Sequence, residues 1–258
     1  MIHIKQIETL LGYFTPITLD EMQEVCLMNR IDTKYITCRE RWLDVLPCMS
    51  GDYRVQEISG CRVASYHTIY LDTADRAMFL AHQNGKMCRE KIRVREYADT
   101  RQVFLEIKNK NNKGRTRKQR IPLEEWTGEI TPGTAEFINE RSFFRAGELQ
   151  SVLENRFDRV TLVNREKTER LTIDTNLRFR NLLTGKEQAI PRLVIIELKQ
   201  DGNHPSLARE ILSSARIRPT GISKYCIGSV LTATDLKHNR FKPKLLQINK
   251  TLNYELFT

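Results

Sequence analysis

The side chains of this chain best placed to do chemistry are cations spaced by two. In Cys88–Tyr97 (CREKIRVREY), Arg89, Lys91, Arg93, Arg95 and Tyr97 alternate with Cys88, Glu90, Ile92, Val94 and Glu96. On a β-strand, where side chains alternate between faces, this puts four cations on one side and an apolar centre on the other. Neighbours two apart lie about 7 Å from each other, so each pair repels by roughly 2 kcal/mol at an effective dielectric near 20. Such a row is either a solvated outer face or a binding surface for a strongly anionic, extended ligand. Phosphate chains have that chemistry.

Three more segments repeat the pattern. Glu106 and Lys108 share a face in Phe104–Lys108 (FLEIK), opposite Leu105 and Ile107. Arg170, Thr172 and Asp174 alternate with Leu171 and Ile173 in RLTID, and Glu197 and Lys199 oppose Val194, Ile196 and Leu198 in VIIELK. One such strand is a surface strand. Four predict an α+β fold in which a closed antiparallel β-barrel turns its charged faces into a tunnel, with helices packed on the apolar outside.

The composition sets bounds on this. The chain has 258 residues, 40% hydrophobic and 29% charged, with a net charge of +10. These values predict a globular domain, taken as one domain over residues 1–258, with affinity for polyanions in general. The six cysteines form no CxxC pair or zinc-spaced cluster, and are expected as reduced, mostly buried thiols. No secretory leader or run of 18 apolar residues is present, so a cytoplasmic location without a transmembrane segment is expected. P-loop, GxGxxG, HExxH and GxSxG motifs are absent, and the five histidines do not cluster. Few aromatics alternate with the basic positions, so no stacking platform for nucleic acid is expected.

Read in order, residues 3–14 predict an amphipathic helix carrying Ile4, Ile7, Leu10 and Leu11. Thr18 and Glu21 form a capping box for a helix over Leu19–Asn29. Arg30–Ile36 reads as a strand, 40–49 as a helix, and Tyr53–Ile58 and Ser65–Asp72 as strands. A helix is expected over Thr73–Asn84, and Asn109–Gly114 is a hairpin loop leading into the strand Arg115–Leu123, which carries Lys118 and Arg120. The apolar spacing predicts a helix over 134–157. A strand pair follows over Asp158–Lys167 and Glu169–Leu177, with a further strand over Arg178–Leu183. His204-Pro205-Ser206 opens a helix, and Ser223 or Lys224 opens the last one. The core is expected over about 18–235. The basic tail, from Lys237 to Thr258, shows no clear period.

Lys, Arg and carboxylates suffice for phosphoryl transfer, which needs phosphates positioned, their charge neutralised and two oxygens held in line. Arginine grips phosphate bidentately and lysine acts as a point charge. Glu197 either holds a divalent cation against phosphates or forms a salt bridge to Lys199. Asp174 and Asp32 read as structural.

Seven segments in order resemble the polyphosphate polymerase (VTC) domain of the triphosphate-tunnel, CYTH-like superfamily. They are Arg30-Ile31-Asp32-Thr33-Lys34-Tyr35, Tyr70-Leu71-Asp72-Thr73, Lys91-Ile92-Arg93-Val94-Arg95, Phe104-Leu105-Glu106-Ile107-Lys108, Arg170 through Asp174, Ile196-Glu197-Leu198-Lys199 and Ser223-Lys224-Tyr225. The resemblance implies a phosphotransferase that moves the γ-phosphate of ATP onto inorganic polyphosphate, releasing ADP, with Mn²⁺ or Mg²⁺. It implies catalytic roles for Arg93, Arg95, Lys108, Lys199 and Lys224, and phosphate binding by Lys34, Lys91, Lys118, Arg165 and Arg170. Glu197, and secondarily Glu106, would hold the metal.

There are departures. Yeast-type members join this domain to an inositol-polyphosphate-sensing SPX domain and to transmembrane helices, neither of which is expected here. They also carry a basic residue before the Ser-Lys pair, where this chain has Gly221. Triphosphatase relatives open with ExExK. The Arg30–Lys34 segment takes that place here, which favours polymerisation over hydrolysis of triphosphate or ATP. A non-catalytic polyphosphate or nucleotide sensor is the remaining alternative.

Overall fold

A computed structural model describes residues 2–23, 30–202 and 205–256. The chain opens with α1 (Ile2–Leu11), β1 (Thr15–Ile17), α2 (Leu19–Gln23), β2 (Arg30–Cys38) and α3 (Arg39–Val45). Next come β3 (Tyr53–Gln56), β4 (Ala64–Thr73), α4 (Ala77–Gln83), β5 (Arg89–Tyr97), β6 (Gln102–Lys110), β7 (Thr116–Leu123) and α5 (Pro132–Arg141). The second half holds β8 (Leu149–Asn164), β9 (Glu169–Asn181), β10 (Glu187–Ile190), β11 (Leu193–Asp201), α6 (Leu207–Ser214), α7 (Lys224–Thr232) and α8 (Lys242–Leu252).

The main sheet runs β2-β11-β9-β8-β4-β5-β6-β7, with every neighbouring pair along this path antiparallel; β1, β3 and β10 attach at its margins. The expected barrel is not closed. Its end strands, β2 and β7, do not pair with each other, so the sheet is a strongly curved trough. Alternation tells which face a residue occupies, and it carries no information about whether the last strand meets the first.

The apolar faces find their partners as expected. Ile92, Val94, Leu105 and Ile107 pack beneath Met78 of α4 and Ile138 of α5. Leu162, Leu171, Ile173 and Ile196 pack against Leu11, Trp42 and Leu212, from α1, α3 and α6. The helix starts follow the sequence signals: Thr18 and Glu21 cap one another reciprocally, and Ser206 and Ser223 accept from the amides of Arg209 and Cys226. Continuation of the second helix to Asn29 lies outside the described residues, as do Cys26, His204 and the side chain of Ile4.

Three expectations need correction. The helix expected over 134–157 is helical only to Arg141, and 149–157 belongs to β8. A register shift opposite Tyr70 and Leu71 inserts an extra residue there, so Val152 and Leu153 are both buried. That bulge imitates helical spacing. The tail does have a period: Phe241 just before α8 and Leu245, Ile248 and Leu252 on it are buried in the same core cluster as Ile36 of β2, hidden in the sequence among Lys237, Lys242, Lys244 and Lys250. Helix α7 is therefore not the last. Among the described cysteines, all free, Cys48, Cys61 and Cys88 are exposed and Cys226 is buried, so the thiols are not mostly buried.

Candidate phosphate-binding site

The charged faces of the trough enclose a cavity of about 550 Å³. Lys34, Lys91, Arg93, Arg95, Lys108, Lys118, Arg170, Glu197, Lys199 and Lys224 all line it. Arg165 does not. Its guanidinium Nε donates to the Gly51 carbonyl at 2.8 Å, outside the cavity, because the turn after β8 takes it away from the trough. Glu106 sits behind the wall, 1% exposed.

Strand register arranges these groups in rows. Lys91, Lys108 and Lys118 lie directly opposite one another across β5, β6 and β7, and Arg93, Glu106 and Arg120 form the next row. On the far side, Lys34, Glu197 and Thr172 form one row, with Asp32, Lys199 and Arg170 beside it. Like charges directly opposite on a sheet destabilise it, so three adjacent lysines are a cost that the apo fold bears.

Each carboxylate is matched to cations. Glu106 accepts from Arg93 Nε at 2.7 Å and forms ion pairs with Arg93 Nη2 (2.6 Å) and Lys118. Burial would raise its pKa, but Arg93, Arg95 and Lys118 hold it down to about 2. Glu197 contacts Lys199 and lies 3.7 Å from Lys34; against burial, these two lysines keep it well below the usual range. Asp174 is likewise lowered despite its burial, by Arg159 and Lys224. The lysines move the other way. Burial pulls Lys91 and Lys224 to about 7 and Lys118 to about 8, and it also lowers Lys108 and Lys199.

Helix α7 delivers Lys224 into the cavity. Its N-cap Ser223 receives a bond from Lys91 Nζ at 3.2 Å, and Lys34 Nζ donates to the Ile222 carbonyl at 3.3 Å. Gly221, two positions before Ser223, stands where the resemblance has a basic residue. Here Lys244 of α8 donates to the Gly221 carbonyl, with its ammonium 3.1 Å from where a Cβ at 221 would sit. A cation from the C-terminal helix thus occupies the space beside residue 221.

Two features escaped the sequence reading. Arg159, bonded to Asp174, lines the cavity on β8; its alternation with Thr161 was the available signal. Aromatic rings also reach the wall: Tyr66 lies under Arg95 (5.4 Å) and Arg159 (4.8 Å), Phe157 lies 4.0 Å from Lys224 Nζ, and Arg120 lies 4.3 Å from Phe104. The rings support the cations between them.

No cluster of three His, Cys, Asp or Glu side chains suited to a metal occurs among the described residues. A divalent ion fits in a narrower way. Glu197 faces the cavity beside Thr172, its register partner, whose buried Oγ1 has no hydrogen-bond partner among the described residues. One carboxylate and one hydroxyl, completed by phosphate oxygens and water, suit Mg²⁺ or Mn²⁺. Glu106, enclosed by Arg93 and Lys118, does not fit that role.

No helix among the described residues is long and apolar enough to cross a membrane. Comparison with solved structures returns HpAC1 from Hippeastrum, described as having a dominant triphosphatase activity. It shares 14% identity at a TM-score of 0.47, over 81% of this chain and 100% of that one. The PH1819 protein of Pyrococcus horikoshii shares 12% identity at a TM-score of 0.43, over 76% and 95% of the two chains. None of the curated proteins matches the chain. Residues 29–232 match the VTC domain, which spans the trough from β2 to α7, and the chain belongs to the VTC domain family.

Proposed function

We propose that the chain, acting as a single domain, is a polyphosphate polymerase: it transfers the γ-phosphate of ATP to the end of an inorganic polyphosphate chain and releases ADP. The observation that carries this reading is the charge pattern of the cavity. Its cations outnumber its carboxylates, and the buried carboxylates are held ionised by the cations beside them.

The reaction brings two anions together. A terminal oxygen of the chain bonds to the γ-phosphorus, the bond from that phosphorus to the β–γ bridging oxygen breaks, and the electron pair leaves on ADP. The attacking oxygen is already anionic and needs no general base. Water would need one: Glu106, held at about 2, and Glu197, held well below the usual range, are poor bases, and Lys91 and Lys224, near 7 in the empty cavity, take their protons back as anionic phosphates bind. That difference supports transfer to phosphate over hydrolysis.

Arg93, held by Glu106, and Arg95 would grip the transferring group, with Lys108, Lys199 and Lys224 neutralising charge around it. Lys34, Lys91, Lys118 and Arg170 would bind flanking phosphates. Mn²⁺ or Mg²⁺, when bound at Glu197, supplies further neutralisation and alignment of the phosphates. ATP as donor goes with a cytoplasmic location, and no nucleic-acid partner is required.

Incubation of the purified protein with ATP and Mn²⁺, read by phosphate gel and ADP release, tests this. The expected result is polymer with stoichiometric ADP, both lost in Arg93→Ala. Orthophosphate without polymer would reassign the protein as a triphosphatase, and binding without turnover would make it a sensor.

A further inference from the structure

The trough has an open side, and its lips carry charge. The two strands at the ends of the sheet, β2 and β7, both line the cavity, yet among the described residues no strand bridges them. On β2 the outer edge is covered only near Lys34 and Tyr35, where the Thr220 amide donates to the Lys34 carbonyl and Pro219 bridges Tyr35. Among the described residues, no strand pairs with the outer edge of Arg30–Thr33. The outer edge of β7 is likewise unpaired, and Thr116, Arg117, Lys118 and Arg120 are exposed along it.

Solvent access follows the same division. The side chains of Arg30, Lys34 and Lys118, on the two end strands, are 41%, 36% and 40% exposed. Cavity cations between them, such as Arg93, Arg159 and Lys199, are only 18%, 15% and 12% exposed. Water therefore reaches the cavity along its side, between lips of net positive charge: Arg30, Asp32 and Lys34 on β2, and Lys118 and Arg120 on β7. A closed tube of this bore would admit a polymer only by one of its ends. An open-sided trough has no such requirement.

We propose that the cavity is loaded sideways through the gap between β2 and β7, and so accepts an internal stretch of a long phosphate chain whose two ends are both blocked. This rests on the phosphate-binding reading of the cavity and adds its substrate form. An internal stretch carries about one negative charge per phosphate and meets the exposed lip cations first, which steers it lengthwise along the opening. It then reaches Arg93, Lys108 and Lys199 without any terminus passing through the protein. A growing product can leave the same way. An end-blocked chain occupies the site yet offers no terminal oxygen, so it acts as an inhibitor and never as an acceptor.

The test is competition against a fluorescent ATP derivative, read by anisotropy without added metal so that no turnover intervenes. The competitors are long linear polyphosphate, free at both ends, and the same chain with each end joined through a phosphoramidate to a streptavidin-bound biotin. Sideways loading predicts that the blocked chain displaces the probe within about tenfold of the concentration needed for the free chain. A larger loss, with the free chain still effective, would overturn side entry while leaving the phosphate-binding reading intact. Failure of the probe or of both chains to bind would bring down both. Heparin at equal charge controls for surface coating, and equal displacement by heparin would also overturn the proposal.

Discussion

Asp174 holds Arg159 through two parallel hydrogen bonds, Nε to Oδ1 at 2.6 Å and Nη2 to Oδ2 at 2.8 Å. The same carboxylate accepts from Lys224, so one anion on β9 fixes a cation from β8 and another from α7. Arg159 is thereby held over the Tyr66 ring and Lys224 near Phe157. A single buried aspartate sets the position of two of the cavity's cations.

Asp174→Ala leaves both cations buried without a counter-charge. Breaking a buried pair from one side costs about 3–5 kcal/mol, and urea unfolding should show a loss of that order. Added polyphosphate should recover part of it, because a bound anion replaces the missing charge and stabilises only the folded state. A variant as stable as the parent, or one indifferent to polyphosphate, would contradict this role.

The depressed lysines give a pH signature with a definite sign. Lys91 and Lys224 titrate near 7 in the folded protein because burial disfavours their charge, against about 10.4 when unfolded. Between those values the unfolded chain binds more protons, so stability should rise with pH above 7, by up to roughly 1.4 kcal/mol per unit for each group. Anion binding reverses the shift, so polyphosphate binding near pH 8 should take up protons and weaken as pH rises. Calorimetry in two buffers of different ionisation enthalpy measures the uptake; zero uptake or release would refute it.

Asp72 ties three elements together outside the cavity lining. Buried at the end of β4, it accepts from the amides of Met78 (2.9 Å) and Phe79 (3.0 Å) at the start of α4, and from the Tyr225 hydroxyl on α7. Asp72→Ala removes all three bonds and strands buried donors, for an expected loss of about 3 kcal/mol in denaturant unfolding. Because Tyr225 follows Lys224, weaker phosphate binding should accompany it. Tyr225→Phe keeps the helix cap and should cost less. Equal losses in the two variants would count against the capping account.

The cation rows were legible because β5, β6, β9 and β11 keep an unbroken period of two, which local sequence states directly. The pairing of Arg93 with Glu106 was not, since it depends on the register between strands. Arg159 keeps the period of β8, where 156–159 pair with β4 without a break, but its match to Asp174 depends on a register shift whose extra residue lies on β9 near Asn176, and local sequence does not state that. Val152 and Leu153 misled because the β8 bulge at that point imitates helical spacing. Arg165 failed because a residue just past a strand end has no face. On α8 the charge of the lysines concealed a regular apolar stripe. Lys244 beside Gly221 was beyond reach, because a contact spanning 23 residues between separate elements leaves no local trace.

The basic lip of β7 has a second effect. An unpaired strand edge is a template on which another chain can add, and lysine and arginine along it keep such chains apart. Here that guard is made of the same charges that face polyanions, and it works only while they are bare. At 1 M salt the screening length falls to about 3 Å, and a bound polyanion neutralises them outright. A bound polyanion that fills the trough thus also disarms the guard of its edge, which ties the exposure of β7 as a pairing template to the ligand.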